Sequence, residues 1–174
     1  GSNNNGGSSS SGSGSGSRVV AGEIATFVES YVPIGNNRTF EIENGEIGFS
    51  KIRFVARNKL FNVVMKVKKT ESQDINNPFN GTVYKYVEIE EWNLDEEDIE
   101  NSQITFPVSR NWLSQNNINQ ADIVLFRYVN NEWVELETSV SEEGTEYVYF
   151  TATTPGFSYF AIGTAAEPEP AAEE

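Results

Sequence analysis

Short segments in which apolar and polar residues alternate run through most of this chain, and they restrict the folds that it can adopt. In residues 82–92, Val87 and Ile89 share one phase while Glu88 takes the other. A period of two places successive side chains on opposite faces of a strand. Turn sequences such as Asn44-Gly45, which tolerate positive φ, and Asn130-Asn131 separate the segments. The pattern therefore predicts strands and almost no helix.

The number and spacing of these segments predict an all-β, two-sheet β-sandwich of Ig-like or jelly-roll-like type. We expect about eight or nine strands, with Pro107 placing the end of its strand at a sheet edge. One short helical turn is expected at 109–113, capped by Ser109. The predicted strands cover residues 39–43, 47–56, 62–70, 82–92, 103–108, 123–129, 132–137, 145–151 and 157–163.

Both ends of the chain differ in composition from its middle. Residues 1–17 are almost wholly Gly, Ser and Asn, and residues 165–174 are Pro, Ala and Glu. Neither segment can bury enough apolar area to offset the entropy of ordering, so both are predicted to be disordered linkers. The β-sandwich domain is assigned to residues 18–164. The sequence contains no apolar run of transmembrane length and no signal-peptide pattern at its start.

The composition argues against several classes of function. The 174 residues include no His and no Cys, which removes the usual general base and the zinc-thiolate and Cys-nucleophile sites. The formal net charge of −14 repels phosphate backbones and anionic membranes. We therefore predict a protein that is not an enzyme, and that binds neither nucleic acid nor membrane through this fragment.

The acidic segment that follows residue 94 is the candidate metal site. Asp95, Glu96, Glu97 and Asp98 place four carboxylates in sequence, and calcium takes six to eight oxygen ligands. The segment lacks the Gly of an EF-hand loop. No cofactor is expected apart from calcium at this candidate site, and a solvated acidic loop is the alternative interpretation.

Tyrosines supply the candidate ligand surface. Tyr84 and Tyr86 share the phase opposite Val87, and Tyr147 and Tyr149 share the phase opposite the residue between them. Aromatic faces on a flat sheet can stack against sugar rings. A glycan-binding face is therefore one interpretation of these four residues, and burial of both faces of a central strand is the other.

Two kinds of covalent modification are considered. Asn37 and Asn80 begin N-glycosylation sequons in predicted loops, which fits an exported protein. An isopeptide cross-link would need an inward-facing lysine. None of the strand-associated lysines has a clearly inward phase: Lys51, Lys59, Lys66 and Lys85.

The last third of the chain resembles the PGF-pre-PGF domain of archaeal cell-surface proteins. The resemblance covers most of residues 37–163, and its most specific part is the run TPGFSYFAI at 154–162. Pro155 and Gly156 are interpreted there as turn residues, with Gly156 adopting a φ that side chains forbid. The other matching segments are 52–67, 83–89, 104–113, 123–128, 133–138 and 147–150.

The resemblance implies export, cell-envelope attachment and glycosylation, and it implies no catalytic residues. The predicted function is a non-catalytic structural or presentation module of an exported archaeal envelope protein, located extracellularly at the cell surface. Its partners would be other envelope or surface proteins and glycans, or further copies of itself. The alternative is a carbohydrate-binding or adhesion module that uses the tyrosines.

Overall fold

The computed structural model describes residues 16–21 and 23–165, with side chains from Glu23 onward. It confirms an all-β sandwich, built in the described part from two antiparallel sheets and one short helix, α1 (Arg110–Gln115). The described residues also contain three 3-10 turns, Ser72–Asp74, Glu96–Asp98 and Gln120–Asp122, in the connections between elements. The strands are β1 (Gly16–Ala21), β2 (Ile24–Val32), β3 (Asn37–Glu41), β4 (Lys51–Ala56), β5 (Leu60–Thr70), β6 (Gly81–Trp92), β7 (Ile99–Ser109), β8 (Val124–Val129), β9 (Glu132–Glu135), β10 (Thr138–Glu143), β11 (Tyr147–Thr153) and β12 (Tyr159–Ala165).

The seven-stranded sheet has the order β1-β2-β5-β6-β12-β8-β9, and the five-stranded sheet has the order β10-β11-β7-β4-β3. Strand pairing begins at Gly16 and ends at Ala165. The remainder of the two predicted linkers, residues 1–15 and 166–174, lies outside the described residues.

The twelve strands of the described part of the chain exceed the predicted eight or nine, because β1, β2 and β10 are not recognisable from the sequence. β2 does bury alternate residues, among them Ala25 and Phe27, but it follows the Gly/Ser-rich start closely. β10 has no apolar alternation, and almost all of its residues are exposed. It is a strand because five of its six residues pair with β11, a tertiary effect that local sequence does not carry.

The predicted hairpin at Asn44-Gly45 is present, but its loop is longer than two residues. Strands β3 and β4 pair from Asn37↔Val55 to Glu41↔Lys51, which leaves residues 42–50 as the connection. Within it, Phe49 is 1% exposed and lies between the sheets. Its ring centre is 6.3 Å from that of Phe106 and 5.5 Å from that of Phe160, one in each sheet. The loop therefore supplies part of the core.

Pro107 lies in a central strand, because β7 is flanked by β11 and β4. Strand β4 begins at Lys51, which pairs with Thr105, and the Ser50 amide donates to the Thr105 carbonyl. Residues two apart in a strand direct their backbone groups to the same side, so the nitrogen of Pro107, like the backbone of Thr105, faces β4. Strand β4 does not extend as far as Pro107, so the missing N–H costs no hydrogen bond between strands. The strand is therefore not an edge strand, but its end at Pro107 has a neighbour on only one side.

Two local predictions are confirmed. The Ser109 hydroxyl accepts a hydrogen bond of 3.3 Å from the Trp112 amide and caps α1, and Leu113 of this helix is buried. Asn130 and Asn131 have φ of 50° and 64° and connect β8 to β9 through a two-residue turn. Positive φ at both positions is the geometry of a tight hairpin turn.

The chain enters the seven-stranded sheet at one end and leaves it at the other. Four antiparallel pairings separate β1 from β12, so these two strands run in the same direction. Gly16 lies level with the Trp92 end of β6, and Ala165 pairs with Gly81 at its other end. The length of β6, 12 residues, corresponds to about 40 Å at about 3.3 Å per residue.

Candidate functional site

A β-bulge in β6 separates two of the predicted ligand residues. Lys85 and Val83 pair with consecutive residues of β12, so Tyr84 between them has no partner. An extra residue shifts the phase of the strand. Tyr84 consequently packs against the sandwich core, whereas Tyr86 lies on the outer face of the sheet near other aromatic rings. The predicted common face of these two tyrosines is therefore wrong.

Three of the four predicted tyrosines are brought together in one cleft of about 460 Å³, which we call the tyrosine cleft. Tyr84, Tyr147 and Tyr149 line it, together with Lys85, Pro107 and the loop 42–50. Tyr147 is 41% exposed, so the cleft is open to solvent. Its volume falls in the range of small-molecule sites, about 300–1,000 Å³.

Lys85 places a charged group beside the rings of this cleft. Its Nζ donates a hydrogen bond of 2.8 Å to the Gly45 carbonyl and lies 5.4 Å from the centre of the Tyr84 ring. Burial lowers the pKa of Lys85, and the nearby Glu46 carboxylate opposes that shift. The cleft thus combines ring faces with an ammonium group, which suits a ligand that has apolar faces and hydroxyl groups.

Lys85 was not recognised from the sequence. Its aliphatic carbons and Val87 both approach the position of Gly48 in the loop 42–50, so its side chain faces inward. The uniform alternation read from the sequence gave it no clear inward phase. A bulge leaves no signal in the apolar pattern when the inserted residue is itself aromatic, as Tyr84 is.

Tyr84 is fixed within the wall of the cleft. Its hydroxyl accepts a hydrogen bond of 3.4 Å from the Ser109 amide, and its ring centre is 4.9 Å from that of Trp112. Burial raises the pKa of Tyr84. The bulge and α1 together therefore hold this ring, and the hydroxyl remains protonated at neutral pH.

The acidic segment contains the 3-10 turn Glu96–Asp98, and the carboxylates of Glu96 and Asp98 have partners in the protein. Asp98 accepts from the Asp95 amide at 2.9 Å and from the Asn58 side chain at 3.0 Å. Glu96 Oε1 is 2.5 Å from Arg127 Nη2. Within the described residues, no group of three or more acidic side chains has the arrangement needed to hold a metal ion.

Gly156 allows Glu96 to reach Arg127. A Cβ at Gly156 would lie 2.3 Å from Glu96 Oε1, so a side chain cannot be added without displacing the carboxylate. Its φ is not in the left-handed region, contrary to the turn role that the sequence suggested. Arg127 is 6% exposed and also donates to the Ser158 hydroxyl at 3.1 Å. Gly156 is thus required by close packing.

Glu91 lies in the electrostatic field of this ion pair. Burial raises the pKa of Glu91 to about 7, Arg127 lowers it, and Glu96 and Asp95 raise it further. No feature of the sequence distinguished Glu91 from its neighbours, because Arg127, which shares its environment, comes from a distant part of the chain.

The two sequon asparagines are both exposed. Asn37 is the first residue of β3 and its Oδ1 accepts a hydrogen bond of 3.0 Å from Arg53 Nε, so it lies in a strand and not in the predicted loop. Asn80 lies in the connection just before β6, as expected.

A second aromatic group, on the outer face of the seven-stranded sheet, was missed by sequence reasoning. Trp133 of β9 pairs with Tyr128 of β8, which pairs with Tyr159 of β12. The same line continues to Glu88 of β6 and Lys68 of β5. We call these five residues the transverse row. The signal was the turn at 130–131, which fixes Trp133 opposite Tyr128.

Comparison with known proteins adds no relative from which a function could be transferred. A scan against protein-family models finds no family that matches this chain, and a search of curated proteins finds no matching sequence. Among the described residues, no helix has the length and apolar character needed to cross a membrane.

Proposed function

We propose that this domain is a non-catalytic structural module that spaces and presents other parts of an exported archaeal cell-envelope protein at the cell surface. The observation that supports it is the position of the chain ends. The strands β1 and β12 run in the same direction, so segments attached before Gly16 and after Ala165 leave from opposite ends of the sandwich. Each copy would therefore add its length to the assembly.

The same arrangement suits a domain that carries load. A force applied through the two ends acts along β1 and β12, at right angles to the hydrogen bonds between strands. All six residue pairs between β1 and β2 are then loaded at the same time, and they must break together before β1 can slide past β2. At the other end, β12 is held on both sides, by β6 and by β8. The pairing of β1 with β2 is therefore where the domain would yield.

The interior supports a structural role as well. Phe54, Phe106, Phe150 and Phe160 are each at most 1% exposed, and the core contains residues of both sheets. Burying each such ring stabilises the fold by about 1.5–3 kcal/mol. A buried apolar core of this kind gives the module a defined shape without disulfides.

Single-molecule pulling on a tandem array of the whole chain tests this proposal. The array is pulled through its ends, and the control is one domain pulled through cysteines placed at Glu41 and Lys51. These two exposed residues form the last pair of the β3–β4 hairpin, so the control load peels one strand from the other. The chain has no Cys, so the two attachment points are unique.

We expect the end-loaded domain to unfold at a clearly higher force than the peeled one, with one event per copy. An end-loaded force equal to or below the peeling force would contradict the structural role.

A second candidate function, saccharide binding, is favoured by the convergence of Tyr84, Tyr147 and Tyr149 on the tyrosine cleft. Nuclear magnetic resonance titration with neutral oligosaccharides tests it, because the Trp112 indole touches Tyr84 and reports on the cleft. Binding there would shift the Trp112 signal and would be lost in Tyr149→Ala. An unchanged Trp112 signal at millimolar saccharide would exclude this function.

A further inference from the structure

The transverse row crosses five neighbouring strands of the seven-stranded sheet on its outer face. Four steps of about 4.8 Å give it a length of about 19 Å. Its first three members are the aromatic rings Trp133, Tyr128 and Tyr159, with ring centres 5.0 Å and 6.4 Å apart. We propose that this row is a binding site for a neutral linear polysaccharide that lies across the strands. The proposal does not depend on either function above.

Hydrogen bonds hold two of the rings in place. Trp133 Nε1 donates to the Asn77 carbonyl at 2.7 Å, and the Tyr128 hydroxyl donates to Asn131 Oδ1 at 3.2 Å. Phe79 packs edge-on against Trp133, with ring centres 5.6 Å apart. The rings therefore lose little conformational freedom when a ligand binds, which lowers the entropic cost of binding.

The other end of the row supplies hydrogen-bonding groups. Tyr159 and Glu88 lie opposite each other in β12 and β6, and Lys68 Nζ lies 3.6 Å from Glu88 and 3.2 Å from Glu90. Carboxylates accept hydrogen bonds from hydroxyls, and the ammonium donates to hydroxyl and ring oxygens. Apolar faces followed by donors and acceptors match the two kinds of surface on a sugar chain.

Charge and area select a neutral saccharide over other occupants. The formal net charge of −14, together with Glu88 and Glu90 at the row, disfavours an anionic polymer. The rings of the row are already partly buried, so they offer less apolar area than a stable protein interface needs, about 800 Å² per partner. A chain of a few sugar rings needs only a narrow track of this length.

The three tryptophans make the test specific. Trp133 belongs to the row, Trp112 touches Tyr84 of the tyrosine cleft, and Trp92 lies on the same outer face, 44% exposed and apart from the ring cluster. Their indole signals are followed during titration of the full chain with the β-1,4-linked hexamers of glucose and of N-acetylglucosamine. The hexamer of galacturonic acid is the anionic comparison.

We expect at least one neutral hexamer to shift the Trp133 signal while the Trp92 signal stays in place. The variant Trp133→Ala should weaken binding more than about tenfold, as the loss of a large aromatic contact commonly does. The matched control, Trp92→Ala, should bind like the unchanged protein. Because the wild-type titration needs no variant, the proposal remains testable even if Trp133→Ala fails to fold.

Three results would overturn the proposal. One is the absence of binding by both neutral hexamers at millimolar concentration. Another is a shift of the Trp112 signal without a shift of the Trp133 signal, which would place binding in the tyrosine cleft. The third is tighter binding of the galacturonic acid hexamer than of both neutral hexamers, which would show that the site does not select a neutral saccharide.

Discussion

Arg127, buried between the two sheets, forms an ion pair with Glu96 in which Nη2 and Oε1 are 2.5 Å apart. The acidic segment predicted to bind a cation therefore already holds one, supplied by β8. Gly156 leaves the space through which the Glu96 side chain passes. The run around Gly156 that gave the sequence its most specific resemblance is thus linked physically to the acidic segment.

Glu96→Gln should destabilise the domain, because it leaves the buried guanidinium of Arg127 without its carboxylate. We expect a loss of about 1–2 kcal/mol, below the 3–5 kcal/mol of a fully buried pair, since Glu96 is half-exposed. Chemical denaturation measures the loss. A free energy of unfolding unchanged by this variant would mean that the ion pair contributes nothing.

Gly156→Ala should act through the same ion pair. The added Cβ displaces the Glu96 carboxylate, so most of its cost should disappear when Glu96 is already Ala. A double-mutant cycle should show a coupling free energy of about 1 kcal/mol. Additive effects in that cycle would show that Gly156 is needed for some reason other than Glu96.

Stability should fall as pH rises from about 4.5 to about 7, through Glu91. Its pKa is about 7 in the fold against 4.5 for the free side chain. Between these values the folded state binds more protons than the unfolded state, so raising the pH favours unfolding. Urea unfolding at several pH values measures this, and the free energy of unfolding should fall less with pH in Glu91→Gln than in the unchanged protein. Equal pH dependence in both proteins would contradict the placement of Glu91.

Gly163→Ala should destabilise the domain and disturb the tyrosine cleft, because the added Cβ would lie 2.0 Å from the Thr82 carbonyl oxygen beside the bulge. We expect a loss of about 2–3 kcal/mol, as for other overpacked sites. Gly45→Ala is the matched control, with nothing within 4 Å of its Cβ and an effect within about 0.5 kcal/mol. Similar losses in both variants would argue against the bulge geometry.

The sequence predicted those features that depend on local alternation and turn chemistry. The two-sheet class, the Asn130-Asn131 turn and the Ser109 cap all follow from residues close together in the chain. The bulge at Tyr84 and the strand β10 depend on pairing with distant segments, so the local pattern contains no record of them. Because of this bulge, Tyr84 lies in the tyrosine cleft with Tyr147 and Tyr149, whereas Tyr86 lies on the outer face.

The chain enters the sandwich at one end and leaves it at the other, and one distance tests this path. Spin labels are attached at cysteines replacing Ser30, beside the pair Gly16↔Glu29, and Ala165 at the exit; both positions are exposed. Pulsed electron spin resonance should give a distance of about 40 Å, set by the length of β6. If both chain ends lay at the same end of the sandwich, three strand spacings would separate the labels by only about 15 Å. A distance near that value would rule out a chain that enters and leaves at opposite ends.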